Sequence, residues 1–193
     1  MKRITVFCGS SQGHDPVWME TAFLLGSHLA ANGIGLVYGG AKVGMMGAVA
    51  DGALSAGGSV TGVLPRFLKD KEIAHDGLSE LVLVGTMHER KIRMHELSDG
   101  VIALPGGFGT LEEYFEMLTW GQLGLHQKPV GLLNANGFYD DLLRFADKMV
   151  ASGLLKPSNR AMMLSNSSVS GILADMSAYQ PPSTGKWLDR EEI

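Results

Sequence analysis

Short apolar runs recur along the chain, and most are followed by a stretch whose apolar positions come at helical spacing. "RITVFCG" (3–9), "IGLVYGG" (34–40), "SVTGVLP" (59–65), "ELVLVG" (80–85), "VIALPGG" (101–107) and "KPVGLLN" (128–134) read as strands. Between them, 16–33, 45–58, 87–100, 110–124 and 138–153 read as helices, the first opened by Pro16 and closed by Gly33. A closing helix is expected around "SVSGILADMSAY" (168–179). The strands are rich in Val, Ile and Leu without alternation, the mark of strands buried on both faces. Repeated βα alternation of this kind predicts a single α/β domain, a doubly wound parallel sheet with helices on both faces. The domain is expected to span 1–178, with 179–193 ("QPPSTGKWLDREEI" from 180) as an exposed C-terminal tail without a core pattern.

Composition narrows the function classes. The chain has 193 residues, enough for a sizeable core, and carries a net charge of -4. A generic nucleic-acid surface is therefore not expected. No apolar run approaches the ~18 residues of a membrane span, and the N-terminal apolar stretch is too short for a signal peptide. The expectation is a cytoplasmic protein. One cysteine, Cys8, excludes an internal disulfide and a multi-cysteine metal site. Glycine departs from the ordinary: 26 of 193 residues, about 13%, against an average near 7%.

The glycines gather after strands, where ligands of such sheets bind. The loops are "CGSS" (Cys8–Ser11), "GGAKVGMMG" (Gly39–Gly47) and "PGGFGT" (Pro105–Thr110). None has the spacing of a dinucleotide fingerprint or a P-loop, and the Gly185-Lys186 pair falls in the tail. Three such loops on one sheet edge favour a mononucleotide or sugar-phosphate pocket, although sharp turns alone also call for glycine.

Two helix starts carry charge. In "TMHERKIRMHEL" a helix beginning near Thr86 puts Arg90 and Lys91 in or just past its first turn, against the helix dipole. Met87, Arg90, Lys91 and Met94 then share a stripe, and the bland reading is a solvated cationic patch paired with Glu89. In "PGGFGTLEEYFEML", Thr110 and Glu113 fit a capping box, which needs no function. Leu111, Phe115 and Leu118 would form its buried stripe, with Glu112, Glu116 and Thr119 on another face. A carboxylate flanked by free amides is expected to stay ionised and to serve as a base or to stabilise positive charge.

"PGGFGTLEE" and "MHERK" together resemble the paired motifs of the Lonely Guy (LOG) family, whose members have long been labelled lysine decarboxylases. "CGSS", "LVYGGAKVGMMG", "LTWGQLGLHQKPVGLLN" and "GFYDDLL" are similar to the family in the same order, so the likeness covers roughly residues 2–156. Ala41 stands where many members have a third glycine. The resemblance implies a Rossmann-like fold and a homodimer that cleaves the N-glycosidic bond of nucleoside 5'-monophosphates, cytokinin riboside monophosphates and AMP among them, with no metal or organic cofactor. It further implies Arg90 and Glu113 as the catalytic pair. Glu72, Met87, Lys91, Gly107, Phe108, Gly109, Thr110, Leu111, Glu112, Thr119, Ser10 and Gly40 are implied as substrate contacts. Lys91 and the Gly107–Thr110 amides are expected to hold the phosphate, and Glu113 to stabilise the oxocarbenium-like state. Arg90 cannot act as a titrating base.

Two other classes stand beside this one: a binding module that holds a phosphoribosyl ligand without cleaving it, and a decarboxylase. The latter needs pyridoxal phosphate on a lysine, and no Schiff-base motif is apparent. Cys8 reads as a buried thiol rather than a nucleophile. His88 and His95, seven apart, lack a third patterned zinc ligand. Tyr38, Trp18 and Trp120 read as core or interface aromatics.

Overall fold

A computed structural model describes residues 1–68 and 74–182. Seven parallel strands form one sheet: β1 (Arg3–Phe7), β2 (Gly35–Tyr38), β3 (Val60–Pro65), β4 (Glu80–Val84), β5 (Gly100–Ala103), β6 (Val130–Leu133) and β7 (Met163–Asn166). Their order is β4-β3-β2-β1-β5-β6-β7, so the chain winds outward from β1 and then returns to its other side at β5. The register pairs Thr5 with Val37 on one side and Val101 on the other. The carboxyl ends of β1 and β5 thus meet at the switch point where open α/β sheets bind ligands.

The helices are α1 (Val17–Ala31), α2 (Gly44–Ser55), α3 (Met87–Glu96), α4 (Phe108–Gln122), α5 (Asp140–Ala151), the single-turn α6 (Pro157–Arg160) and α7 (Val169–Ala178). One apolar cluster joins one sheet face to α1, α2 and α7 through Ile4, Leu25, Leu36, Val49, Ile102 and Ile172. The other joins Phe7, Val37, Val63 and Val101 to Met94 of α3 and to Tyr114 and Met117 of α4. Both faces are covered, as the continuous apolar strands require.

The parallel doubly wound architecture is as expected, with one addition. The segment after Lys156 contains an edge strand, β7, as well as the closing helix. "MLSN" is short and half polar, so no run announced it; pairing with β6 through Gly131–Leu164 and Leu132–Ser165 holds it. Residues 183–193 of the expected tail lie outside the described residues, as does Glu72. No helix among the described residues is long and apolar enough to cross a membrane.

Candidate active site

Helix α3 starts where its sequence puts it. Thr86 is the N-cap, its Oγ1 accepting the Glu89 N–H at 3.1 Å, while the Glu89 carboxylate accepts the Gly85 N–H at 2.6 Å. This reciprocal cap fixes Arg90 and Lys91 on the helix side facing the sheet and α4. Both are buried, 6% exposed each, so the solvated cationic patch does not exist. Arg90 donates from Nε to the Val63 carbonyl at 3.1 Å and from Nη2 to the Gly39 carbonyl at 2.9 Å. Its Nη1 lies 3.9 Å from Sδ of the half-exposed Met87. Main-chain oxygens of β3 and of the residue after β2 thereby offset the helix-dipole penalty.

Lys91 turns to α4, its ammonium 2.5 Å from Glu112 and 3.0 Å from Glu116. Burial works against its charge, but the hydrogen bonds to Glu112 and Glu116 outweigh it, and the pKa rises above the ordinary lysine value. The ammonium, held by these two carboxylates, ties α3 to α4.

The N-terminus of α4 also differs from the expected capping box. The helix begins at Phe108 with Gly107 as N-cap and no side-chain cap bond. Thr110 is inside the first turn and buried, its side chain lying over Gly106, where any Cβ would collide with it. The helix starts early because glycines leave the turn unobstructed, so Thr110 is not needed as a cap. The buried stripe also differs from the expected one, because packing against the sheet and not the cap decides which helix face is buried. Thr110, Tyr114, Met117 and Gly121 face the core, whereas Phe115 is exposed and Leu111 and Leu118 are half-buried. Phe108 is 95% exposed at the helix tip. Among the described residues, no atom outside the local turn lies within 4 Å of where a Cβ on Gly107 or Gly109 would sit, so their packing does not require glycine at these two positions.

Glu113 lies one turn into α4, past the free amides. Its carboxyl is pushed up to about 7 by burial; Arg90 draws it down, Glu112 pushes it up, and Lys91 and Glu116 act more weakly in the same two senses. The expected firmly ionised carboxylate is therefore corrected: desolvation at this depth outweighs the helix N-terminus. Cys8 is close enough to Glu113 and Arg90 to sense both, but burial raises its thiol far above the ordinary range, leaving it unreactive.

The remaining expected contacts divide. Ser10 lines a cleft of about 330 Å³ with Trp18, Met45, Gly106, Gly107 and Phe138, on the α1 side of the glycine loop. The Gly9 N–H donates to the Pro105 carbonyl at 3.3 Å, joining the β1 and β5 loops. Gly40 is buried with φ +84 and accepts the His75 N–H at 3.0 Å. Thr119 lies two turns beyond Glu112, donates to the Phe115 carbonyl at 2.8 Å, and lines a separate apolar cavity of about 220 Å³ with Phe145, Met149 and Leu155. A larger groove of about 630 Å³ between α1 and α2 contains none of the expected residues. Tyr38 is core, and Trp18 and Trp120 set their rings edge-on to Phe138 and His95. His88 is exposed, while His95 is tilted against His126. Sequence reading missed Gly39 and the Val63 carbonyl as the seat of Arg90; "YGG" at the end of β2 was their only trace.

The family model described as "Possible lysine decarboxylase" matches residues 46–176. Cytokinin riboside 5'-monophosphate phosphoribohydrolase LOG5 of Arabidopsis thaliana is 46% identical over 184 residues, 95% of this chain and 81% of that protein. The chain belongs to the LOG family. Another LOG-family relative, the probable cytokinin riboside 5'-monophosphate phosphoribohydrolase LOGL9 of Oryza sativa subsp. japonica, is also 46% identical, over 93% of this chain and 79% of its own. Among solved structures, a molybdenum cofactor binding protein of Rippkaea orientalis is similar with a TM-score of 0.69 and 27% identity, covering 92% of this chain and 97% of that one. The molybdenum cofactor carrier protein of Chlamydomonas reinhardtii shares the fold, at a TM-score of 0.69 and 23% identity over 91% and 96% of the two chains.

Proposed function

We propose that this LOG-family chain hydrolyses the N-glycosidic bond of adenosine 5'-monophosphates, N6-modified ones included, to free base and ribose 5-phosphate. We further propose that it acts as a homodimer in the cytoplasm. The observation that carries the reading is the placement of Glu113, titrating near neutrality, beside the buried guanidinium of Arg90 and one turn from the open amides of Gly107–Thr110. The amides receive the phosphate at the helix N-terminus, and the bare faces of Gly107 and Gly109 let it approach closely. Glu113 lies beneath the ribose. As the C1'–N9 bond breaks and its electron pair leaves with the base, the carboxylate stabilises the oxocarbenium-like carbon. It then takes a proton from the water whose oxygen bonds to C1'. Arg90, permanently charged, offsets negative charge on the departing base or the phosphate. Lys91 acts through Glu112 and Glu116 by locking α4 to α3. Lys91, Glu112, Met87, Phe108, Leu111, Thr119, Ser10, Gly40 and Glu72 remain proposed contacts of the same substrate. Exposed Phe115, Phe145 and Leu154, on and beside α4 and α5, are apolar surface of the kind a second copy covers.

A second reading, a carrier that binds without cleaving, is favoured by the likeness to the Rippkaea orientalis cofactor-binding protein. One experiment separates them: incubation with AMP and with N6-isopentenyl-AMP, quantifying free base and ribose 5-phosphate. Faster release from the isopentenyl substrate assigns cytokinin activation, and comparable or faster AMP cleavage assigns a general nucleosidase. AMP binding with no release from either substrate overturns hydrolysis in favour of the carrier.

A further inference from the structure

Gly39 follows the last residue of β2, and its carbonyl accepts Nη2 of Arg90 at 2.9 Å. A Cβ on Gly39 would collide with that same nitrogen; the next atom met is Sδ of Met46, at 3.1 Å. The backbone does not itself demand glycine here. Gly40 has a positive φ, but Gly39 is not among the positive-φ residues. Alanine is thus opposed mainly by the tip of one flexible side chain, and that tip belongs to Arg90. The guanidinium has few other ways to settle. Helix α3 is fixed by its Thr86–Glu89 cap, and Nε is already committed to the Val63 carbonyl.

We propose that Gly39 is a positioning residue for hydrolysis: its missing side chain is what lets the Arg90 guanidinium dock on the main-chain oxygens of Gly39 and Val63, beside Glu113. The inference rests on the Arg90–Glu113 reading above and extends it to a residue that touches no reacting atom. A Cβ at position 39 turns the guanidinium off the Gly39 carbonyl and shifts the nearest positive charge away from the carboxyl group.

The test compares wild type, Gly39→Ala, Arg90→Lys and the double variant, with glutamate carrying a ¹³C-labelled carboxyl and the Glu113 signal assigned by its loss in Glu113→Gln. In Gly39→Ala, kcat on AMP should fall about 100-fold, with KM changed far less, as expected for a catalytic group misplaced by about 1 Å. The Glu113 carboxyl should titrate above the wild-type midpoint, because the charge that draws it down has moved. In the Arg90→Lys background, Gly39→Ala should change kcat by less than about twofold, since no guanidinium remains to displace. An undiminished rate, an unmoved Glu113 titration or an equal loss in both backgrounds overturns the proposal. Should Gly39→Ala fail to fold, a soluble double variant supports the proposal and an insoluble one overturns it. If wild type releases no base, the hydrolytic reading falls separately, and the titration still decides whether Gly39 places Arg90.

Discussion

The two sides of the sheet use glycine for opposite ends. Where α1 meets α2, a Cβ on Gly26 would strike the Val49 carbonyl and one on Gly52 the Phe23 carbonyl. These glycines vanish into a close helix–helix contact packed on apolar side chains and crossed by the Ser27 hydroxyl, which donates to the Gly52 carbonyl at 3.0 Å. At the start of α4, a Cβ on Gly107 or Gly109 would meet no atom of the described residues outside its own turn. That same side of the sheet holds Arg90 and Lys91, the only charged residues buried among those described, and sets them against Glu113 and Glu116. A glycine-rich stretch is therefore not one signal. Glycines that fill a contact report packing, and glycines left open beside buried charge report a place kept for something else.

The largest effect expected on the charged side is catalytic. Glu113→Gln keeps size and hydrogen-bonding capacity but removes the charge, and base release should fall by about 10³-fold or more. The same substitution should stabilise the fold at high pH. Burial raises the Glu113 pKa from 4.5 to about 7, so between these values the folded state holds more protons than the unfolded one. Stability is then lost as pH rises through that window. Glu113→Gln should gain on the order of 1 kcal/mol at pH 8 by denaturant unfolding, fading below pH 5. A fully active Gln variant would reduce this side of the molecule to structure alone.

The comparison of glycines can be broken directly. Gly52→Ala forces a methyl group against main chain and should cost about 1–3 kcal/mol or more, with little change in AMP affinity measured by calorimetry. Gly109→Ala should behave in the opposite way. In a helix first turn with open space around it, alanine should stabilise by up to about 1 kcal/mol while AMP binding weakens. A destabilised Gly109→Ala, or one that binds AMP as wild type does, would erase the distinction.

How much of this could be read from the chain follows from range. The first six strands, the start of α3 and the glycine loops at the switch point depend on neighbouring residues, and local pattern located them; β7 rests on its pairing with β6 and escaped it. The seat of Arg90 could not be read, because its carbonyl partners lie 27 and 51 residues away on strands whose pairing is a tertiary fact. A capping box was expected at Thr110–Glu113 and is absent, yet the same reciprocal logic operates at Thr86–Glu89. The rule was sound, but two glycines let α4 begin before its threonine. Tertiary packing also decides which face of α4 meets the sheet, and so turns Tyr114 inward, leaves Phe115 exposed and desolvates Glu113 enough to outweigh the helix terminus.

The smallest expected effect extends the comparison to pH. Behind α3 and α4, His95 lies against Trp120 and His126, with its Nδ1 buried and without a hydrogen-bond partner among the described residues. Burial pushes its pKa down to about 4, and Lys128 and His126 push the same way against a weak opposing pull from Glu96. His126 is lowered by burial as well, despite its bond to the Met117 carbonyl. Below the ordinary histidine value of about 6.5 the unfolded chain binds protons that the folded one refuses, so this contribution to stability is lost as pH falls from 6.5 towards 4. His95→Phe keeps a ring against Trp120, removes the orphaned nitrogen and should reduce the loss between pH 7 and pH 5 by roughly 1 kcal/mol in urea unfolding. His126 should retain its own share. Gly52→Ala, on the apolar side, should instead cost the same at both pH values, because no titrating group answers for it. Equal pH dependence in wild type and His95→Phe would mean that His95 adds nothing to the acid sensitivity of the charged side.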